Sequence, residues 1–192
     1  DLVVLYASAE NRVAAGQLRS AGIAVIALRT DRLEDFVRTS RELGRAVGES
    51  ASAALVIDTL QRTLARVRAA TEHLEHPTVF WHVWDSPIYT IGSGSFLDEL
   101  LTIAGGTNIY ADRKEPSPQV SLEDIIKRDP RFILAGTSGE SALANEPLWQ
   151  GVRAVREGRV LVIDTNLVGR PSVRAGEAAV SIARLLHKGI DL

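Results

Sequence analysis

Ser50–Glu75, SASAALVIDTLQRTLARVRAATEHLE, is the longest periodic stretch in the chain. Ile57, Leu60, Leu64, Val67 and Leu74 recur at spacings of three, four, three and seven, while Arg62, Arg66 and Arg68 fall elsewhere on the same cylinder. The pattern predicts one helix of about 39 Å, longer than the mean globular helix. Periodicity alone fits two arrangements equally: a connector crossing more than one packing layer, or a long surface helix of a single domain.

On the N-terminal side, Leu2–Tyr6 is a short apolar, β-prone run, followed by a helical pattern over Ala9–Ser20 that stops at Gly22 and a second apolar run over Ile23–Leu28. Strand, helix, strand is the signature of a parallel sheet covered by helices. Asp31, with Glu34 three residues on, reads as a capping box opening a helix that runs through Leu33, Phe36, Val37 and Leu43 to a stop near Gly48.

On the C-terminal side, Pro77 restarts the chain as the extended segment TVFWHVWDSPIYT. A helix over Ser95–Ala104 follows, stopped by Gly105 and Gly106, then a Pro-rich loop and a capped helix over Ser121–Arg128. Strands are expected at Phe132–Ala135 and Val160–Asp164, with a last helix over about Arg174–Lys188. The reading is an α/β chain in three parts: 1–49, 50–76 as the long helix, and 77–192 as a second α/β segment.

The 192 residues carry 22 Lys and Arg against 24 Asp and Glu, without a basic run, so the electrostatic footprint of a nucleic-acid or anionic-membrane binder is missing. No window approaches the roughly 20 apolar residues of a bilayer-crossing helix. The absence of Cys excludes disulfides and thiolate chemistry. Position 1 is Asp, in what reads as the start of a buried strand, so the chain is expected to be a fragment or a processed product.

Ten aromatics are sparse for this length, yet Phe80, Trp81, Trp84 and Tyr89 fall within ten positions. Alternation along one strand would send Phe80 and Trp84 to one face and Trp81 to the other, with Ser86-Pro87 ending the strand at its carboxyl edge, where open α/β sheets bind ligands. Phe80 and Trp81 read as core. Trp84 and Tyr89, beside Asp85 and Ser86, fit core and cleft rim equally. Asn166 and Arg170 follow another strand and could donate hydrogen bonds or meet an anionic group; equally, Arg170 could pair with a surface acid while Pro171 opens the last helix. The run GSGSF (92–96) lacks the spacing of a phosphate loop and reads better as helix capping by Ser93 or Ser95. His73, His76, His82 and His187 form no metal-ligand spacing, and no nucleophile, base and acid set stands out.

Tyr89–Glu123, with Gly-Ser-Phe-Leu-Asp-Glu-Leu-Leu, Ala-Gly-Gly-Thr-Asn-Ile and Pro-Gln-Val-Ser-Leu-Glu-Asp-Ile, followed by Asp129-Pro130 and a strand, resembles the second lobe of the periplasmic binding proteins that feed ABC importers of cobalamin, haem and iron-siderophores. The opening strand and helix resemble the end of that family's first lobe, and Ser50–Glu75 its rigid connector. The resemblance implies two Rossmann-like lobes joined by a long rigid helix, the first lobe incomplete at its start. It implies an extracytoplasmic protein without catalytic residues, bound metal or cofactor of its own, lipid-anchored through residues upstream, monomeric at full length, and partnered by a small-molecule ligand and a membrane permease. By position, the resemblance makes Tyr6, Trp84, Asp85, Ser86, Tyr89, Ser117, Asn166 and Arg170 ligand-facing and Glu123 the acid that docks on the permease. Cobalamin binders carry a Trp where this chain has Ser117, with Trp84 available to supply the ring. Two other classes stand beside this reading: an α/β enzyme holding a phosphorylated or anionic substrate at the 84–96 edge, and an oligomeric interaction module pairing exposed sheet edges.

Overall fold

The computed structural model describes residues 2–192, apart from the side chains of Ser141 and Ala142. Leu2–Tyr6 (β1) and Ala24–Leu28 (β2) pair in parallel, Val3 opposite Val25 and Tyr6 opposite Leu28, with Ala9–Ser20 (α1) as the crossover. Ser8 caps α1 by accepting from the Asn11 N–H, and the helix ends where Gly22 adopts φ +80°. Leu2, Val4 and Tyr6 are exposed along β1.

The next helix departs from its expected cap. Leu33–Ala46 (α2) begins after Arg32, and the acid that reaches back is Asp35, whose carboxylate accepts from the N–H groups of Asp31 and Arg32. Asp31 is drawn away by Tyr6 and Arg29, both of which donate to its carboxylate. A further cap comes from far along the chain: the Glu99 carboxylate accepts from the Leu33 N–H at 2.8 Å and from the Arg32 guanidinium at 2.6 Å.

Ser50–Thr71 (α3) is unbroken over 22 residues, four short of the expected 26-residue span. It ends where the Thr71 hydroxyl bonds back to Val67 and across to the Ile103 carbonyl, and a turn follows before Pro77. Its N-terminal half lies on α2, close enough that a Cβ at Gly44 would fall 2.5 Å from that of Ala53. Its C-terminal half packs on Phe96–Ile103 (α4) and Ala175–Leu186 (α9), burying Leu60 and Val67. One helix therefore touches both α/β segments.

The second segment holds a four-stranded parallel sheet formed by Thr78–Trp81 (β3), Thr107–Asn108 (β6), Phe132–Ala135 (β7) and Val160–Val162 (β8), in the order β6-β3-β7-β8. Alternation along β3 sends Val79 and Trp81 to the face covered by α3, α4 and α9, and Phe80 to the opposite face, against Ile125 of Leu122–Arg128 (α5) and Trp149. Both rings are core, at 0% and 3% exposure. Trp84 does not continue this alternation. The strand stops at Trp81, and Trp84–Asp85 (β4) folds against Ile88–Tyr89 (β5) as an antiparallel hairpin, Trp84 opposite Tyr89. The last bond to β7 is that of the His82 N–H to the Leu134 carbonyl, and the chain turns where the next N–H, of Val83, goes to the Tyr89 carbonyl instead.

Candidate functional site

Strand order fixes where a site can form. From β3 the chain crosses to β6 on one side and then to β7 on the other, so the crossovers α4 and α5 lie on opposite faces and leave a crevice at the carboxyl ends of β3 and β7. A cleft of about 360 Å³ lies there. Its walls come from the residues just past each strand: Trp81 to Asp85 after β3, Gly136, Ser138 and Gly139 after β7 at the start of Thr137–Asn145 (α6), and Ile163 and Thr165 after β8. Leu97 of α4, with Val168 and Gly169, closes it.

Trp84 is the most exposed of the large rings at 63%, pinned by its indole N–H donating to the Ser86 carbonyl at 3.2 Å. An open, oriented indole at the rim of a cleft is a flat apolar platform whose pose is already set. Asp85 also lines the cleft. Its carboxylate meets Nε2 of His82 at 2.8 Å, and His82 is itself 6% exposed, stacked edge-on against Phe80 and Trp149.

The other sequence-selected residues are spread around this centre. Asp85 and Ser86 line a neighbouring groove of about 540 Å³ with Leu122, Leu148 and Trp149. Tyr89 is half-buried in the hairpin, its backbone bridged to Gln119. Ser117 is exposed on the loop at 113–118. Asn166, in Thr165–Val168 (α8), directs its amide to the Asp164 carboxylate at 2.9 Å, so its neighbours Thr165 and Val168 form the wall instead. Arg170 is exposed and makes no ion pair among the described residues.

Tyr6 lies on the other sheet, in a depression of about 140 Å³. It is nonetheless tied to the cleft wall: its hydroxyl donates to Asp31 at 2.5 Å, the Asp31 carbonyl accepts from the Phe96 N–H, and Leu97 follows in the wall. The carboxyl edge of the β1–β2 sheet is thus joined to a wall of the cleft by a short bonded path. The Asp31 carboxylate, accepting the phenolic proton, raises Tyr6 above the ordinary tyrosine range.

Glu123 is exposed in the first turn of α5, a helix capped by Ser121, and it has no side-chain partner among the described residues. Its neighbour Asp124 is instead held by Arg128 at 2.9 Å. A carboxylate so placed, next to positive helix dipole, is free for an external cation.

The glycines of the 92–96 run have a structural task. A Cβ at Gly92 would fall 2.2 Å from the Glu115 carbonyl oxygen, and one at Gly94 2.3 Å from that of Lys114. The Gly92 and Ser93 N–H groups donate to Pro116 and Arg113, and Ser95 caps α4 by accepting from Asp98. Two of the backbone donors that an anion there would need, those of Gly92 and Ser93, are already taken by the 113–116 loop, which argues against the phosphate-holding reading of this edge.

His82, Gly136, Ser138, Gly139 and Thr165 escaped sequence reasoning, although a signal was there. Each directly follows a strand or opens the next helix, the position at which the carboxyl edge of an open α/β sheet meets a ligand, and the strand ending at Ala135 offers that edge just as the 84–89 segment and Asp164 do.

Residues 1–167 match the family described as periplasmic binding protein. The chain is 30% identical over 199 residues to the cobalamin-binding protein of Halobacterium salinarum, covering 97% of this chain and 53% of that protein, so it spans about half that relative's length. It is 30% identical over 189 residues to the vitamin B12-binding protein of Salmonella typhimurium, covering 98% of this chain and 70% of the relative. The structure of a periplasmic heme-binding protein from Roseiflexus sp. RS-1 superposes with a TM-score of 0.79 at 18% identity, covering 96% of this chain and 76% of the other, a likeness of fold alone.

Proposed function

Because the chain belongs to the periplasmic binding protein family, we propose that it is the extracytoplasmic solute-capturing component of an ABC importer, taking a cobalamin-like ligand in the cleft at the carboxyl ends of β3, β7 and β8. The observation that carries this is the cleft with Trp84 standing open at its rim. A broad apolar ring system can stack on that indole, and the His82–Asp85 pair and Thr165 offer polar contacts below it. The cobalamin-binding relatives favour this ligand over the haem or ferric siderophore that the same fold accommodates. Tyr6, Ser86, Tyr89, Ser117, Asn166 and Arg170 form an outer ring in this proposal, meeting a ligand larger than the cleft. Binding and release need no cofactor.

Delivery requires a partner. Glu123 supplies an unpaired carboxylate for a basic residue of a membrane permease, on a surface away from the cleft walls. A monomeric carrier outside the cytoplasmic membrane, tethered there by lipid, completes the proposal.

The test is a tryptophan-fluorescence titration of the full-length gene product with cyanocobalamin, haemin and a ferric hydroxamate, corrected for ligand absorbance. Saturable one-to-one quenching by cyanocobalamin, weakened about tenfold or more in Trp84→Ala, is the expected result. Saturable binding of haemin or the hydroxamate alone would replace the ligand and keep the carrier role, whereas silence from all three overturns both.

A further inference from the structure

His82 combines features that a merely structural histidine does not need. Its side chain is 4% exposed, yet it lines the cleft. Its Nε2 lies 2.8 Å from Oδ1 of Asp85. A carboxylate can only accept, so Nε2 carries the proton, and the tautomer this contact selects leaves the lone pair on Nδ1. That nitrogen has no hydrogen-bond partner among the described residues. It faces Gly139, another wall residue, where a Cβ would fall 2.7 Å from it. The missing side chain at 139 is what keeps the lone pair uncovered, while the aromatic contacts with Phe80 and Trp149 fix the plane of the ring.

We propose that His82 determines specificity: it is a hydrogen-bond acceptor at the cleft floor, locked in that form by Asp85, that selects solutes presenting an N–H or O–H donor over solutes presenting carboxylates. The inference rests on the solute-binding reading above and narrows its ligand class. A ligand that covers this acceptor without supplying a donor leaves it buried and unpaired, which is costly, whereas one that brings a donor, such as a primary carboxamide, satisfies it. A ligand bringing a carboxylate sets acceptor against acceptor, here beside the Asp85 charge as well. Asp85 is in this scheme a positioning residue, acting through the ring it orients.

The test pairs two probes with two variants in the full-length protein. Cyanocobalamin carries carboxamides on its rim and haemin carries carboxylates. His82→Phe keeps a ring of similar shape and removes the acceptor; it is expected to weaken cyanocobalamin about 3- to 10-fold while leaving haemin unchanged or tighter. Gly139→Ala places a methyl group before Nδ1 and is expected to act in the same direction, which keeps the proposal testable should His82→Phe fold poorly. Nitrogen-15 shifts of the His82 ring in the ligand-free protein are expected to show a protonated Nε2 and an unprotonated Nδ1. Undiminished cyanocobalamin binding in both variants overturns the proposal, as does a protonated Nδ1. Wild-type protein that binds neither of these probes nor a ferric hydroxamate defeats the solute reading instead, and the ring spectrum still decides whether the floor offers an acceptor.

Discussion

Glu123 and Asp124 are adjacent acids with different fates, and the difference yields a prediction at the scale of one residue. Arg128 occupies Asp124, whereas Glu123 is exposed and unpaired among the described residues. Glu123→Ala is expected to leave ligand affinity and melting temperature within experimental error, since an exposed side chain without partners contributes about 0.5 kcal/mol or less. Ligand-stimulated ATP hydrolysis by the reconstituted permease should fall several-fold, and recover in part with Glu123→Asp. Equal loss of ligand binding and ATPase stimulation would make the residue structural. Single-residue roles were legible in the sequence where the controlling partner is local: Ser95 and Ser121 cap α4 and α5 as their spacing indicates. They were illegible where the partner is distant. Nothing near His82 announces that Gly139, 57 positions on, leaves its ring nitrogen uncovered. Period-two alternation puts Trp84 on the strand face of Phe80 only if the strand continues, and the Val83 N–H, turning to the Tyr89 carbonyl, ends it.

Elements show the same division between local and long-range causes. The strands β1 and β7 and the helices α1 and α5 fall within a residue of where apolar runs, caps and Gly stops put them, because those signals act over one turn. The N-terminus of α2 is legible in sequence only as a capping box of Asp31 and Glu34; the box forms one residue later with Asp35 as its acid, while the Asp31 carboxylate goes to Tyr6 and Arg29, and a second, distant acid joins it. Glu99, on α4, grips the first turn of α2 through the Leu33 N–H and Arg32, and Arg32 also reaches the Ser93 carbonyl at 3.1 Å. An acid there satisfies an orphan helix donor and the helix dipole together. Glu99→Ala should therefore cost about 1 to 2 kcal/mol in denaturant unfolding and speed amide exchange in the first turn of α2. Glu34→Ala, although it sits in that same turn, should change stability by about 0.5 kcal/mol or less. A larger effect at Glu34 than at Glu99 would reinstate Glu34 as a capping acid.

At the scale of the whole molecule, α3 decides how far the two α/β segments can move. Flexible strands between segments permit wide hinge bending, whereas α3 is continuous from its contact with α2 at Ala53 to its packing on α4 and α9 at Val67 and Thr71. The Arg32–Glu99 clamp and the Phe96 to Asp31 hydrogen bond add a second tie beside it. Two separate attachments oppose both bending and twisting, so the cleft is largely preformed and ligand capture costs little reorganisation. Backbone displacement on binding should then stay near about 1 Å, and small-angle X-ray scattering curves of ligand-free and loaded protein should superimpose. The stiffness itself can be weakened without touching the cleft: Ala65 and Ala69 are exposed on α3, and changing both to Gly should cost about 1 kcal/mol each in stability. If α3 holds the segments, that double variant should broaden the ligand-free scattering-derived distance distribution and lower affinity through the added ordering cost. An unchanged distribution, with the stability loss confirmed, would transfer the restraint to the Arg32–Glu99 clamp, and Glu99→Ala would then be the variant that broadens it.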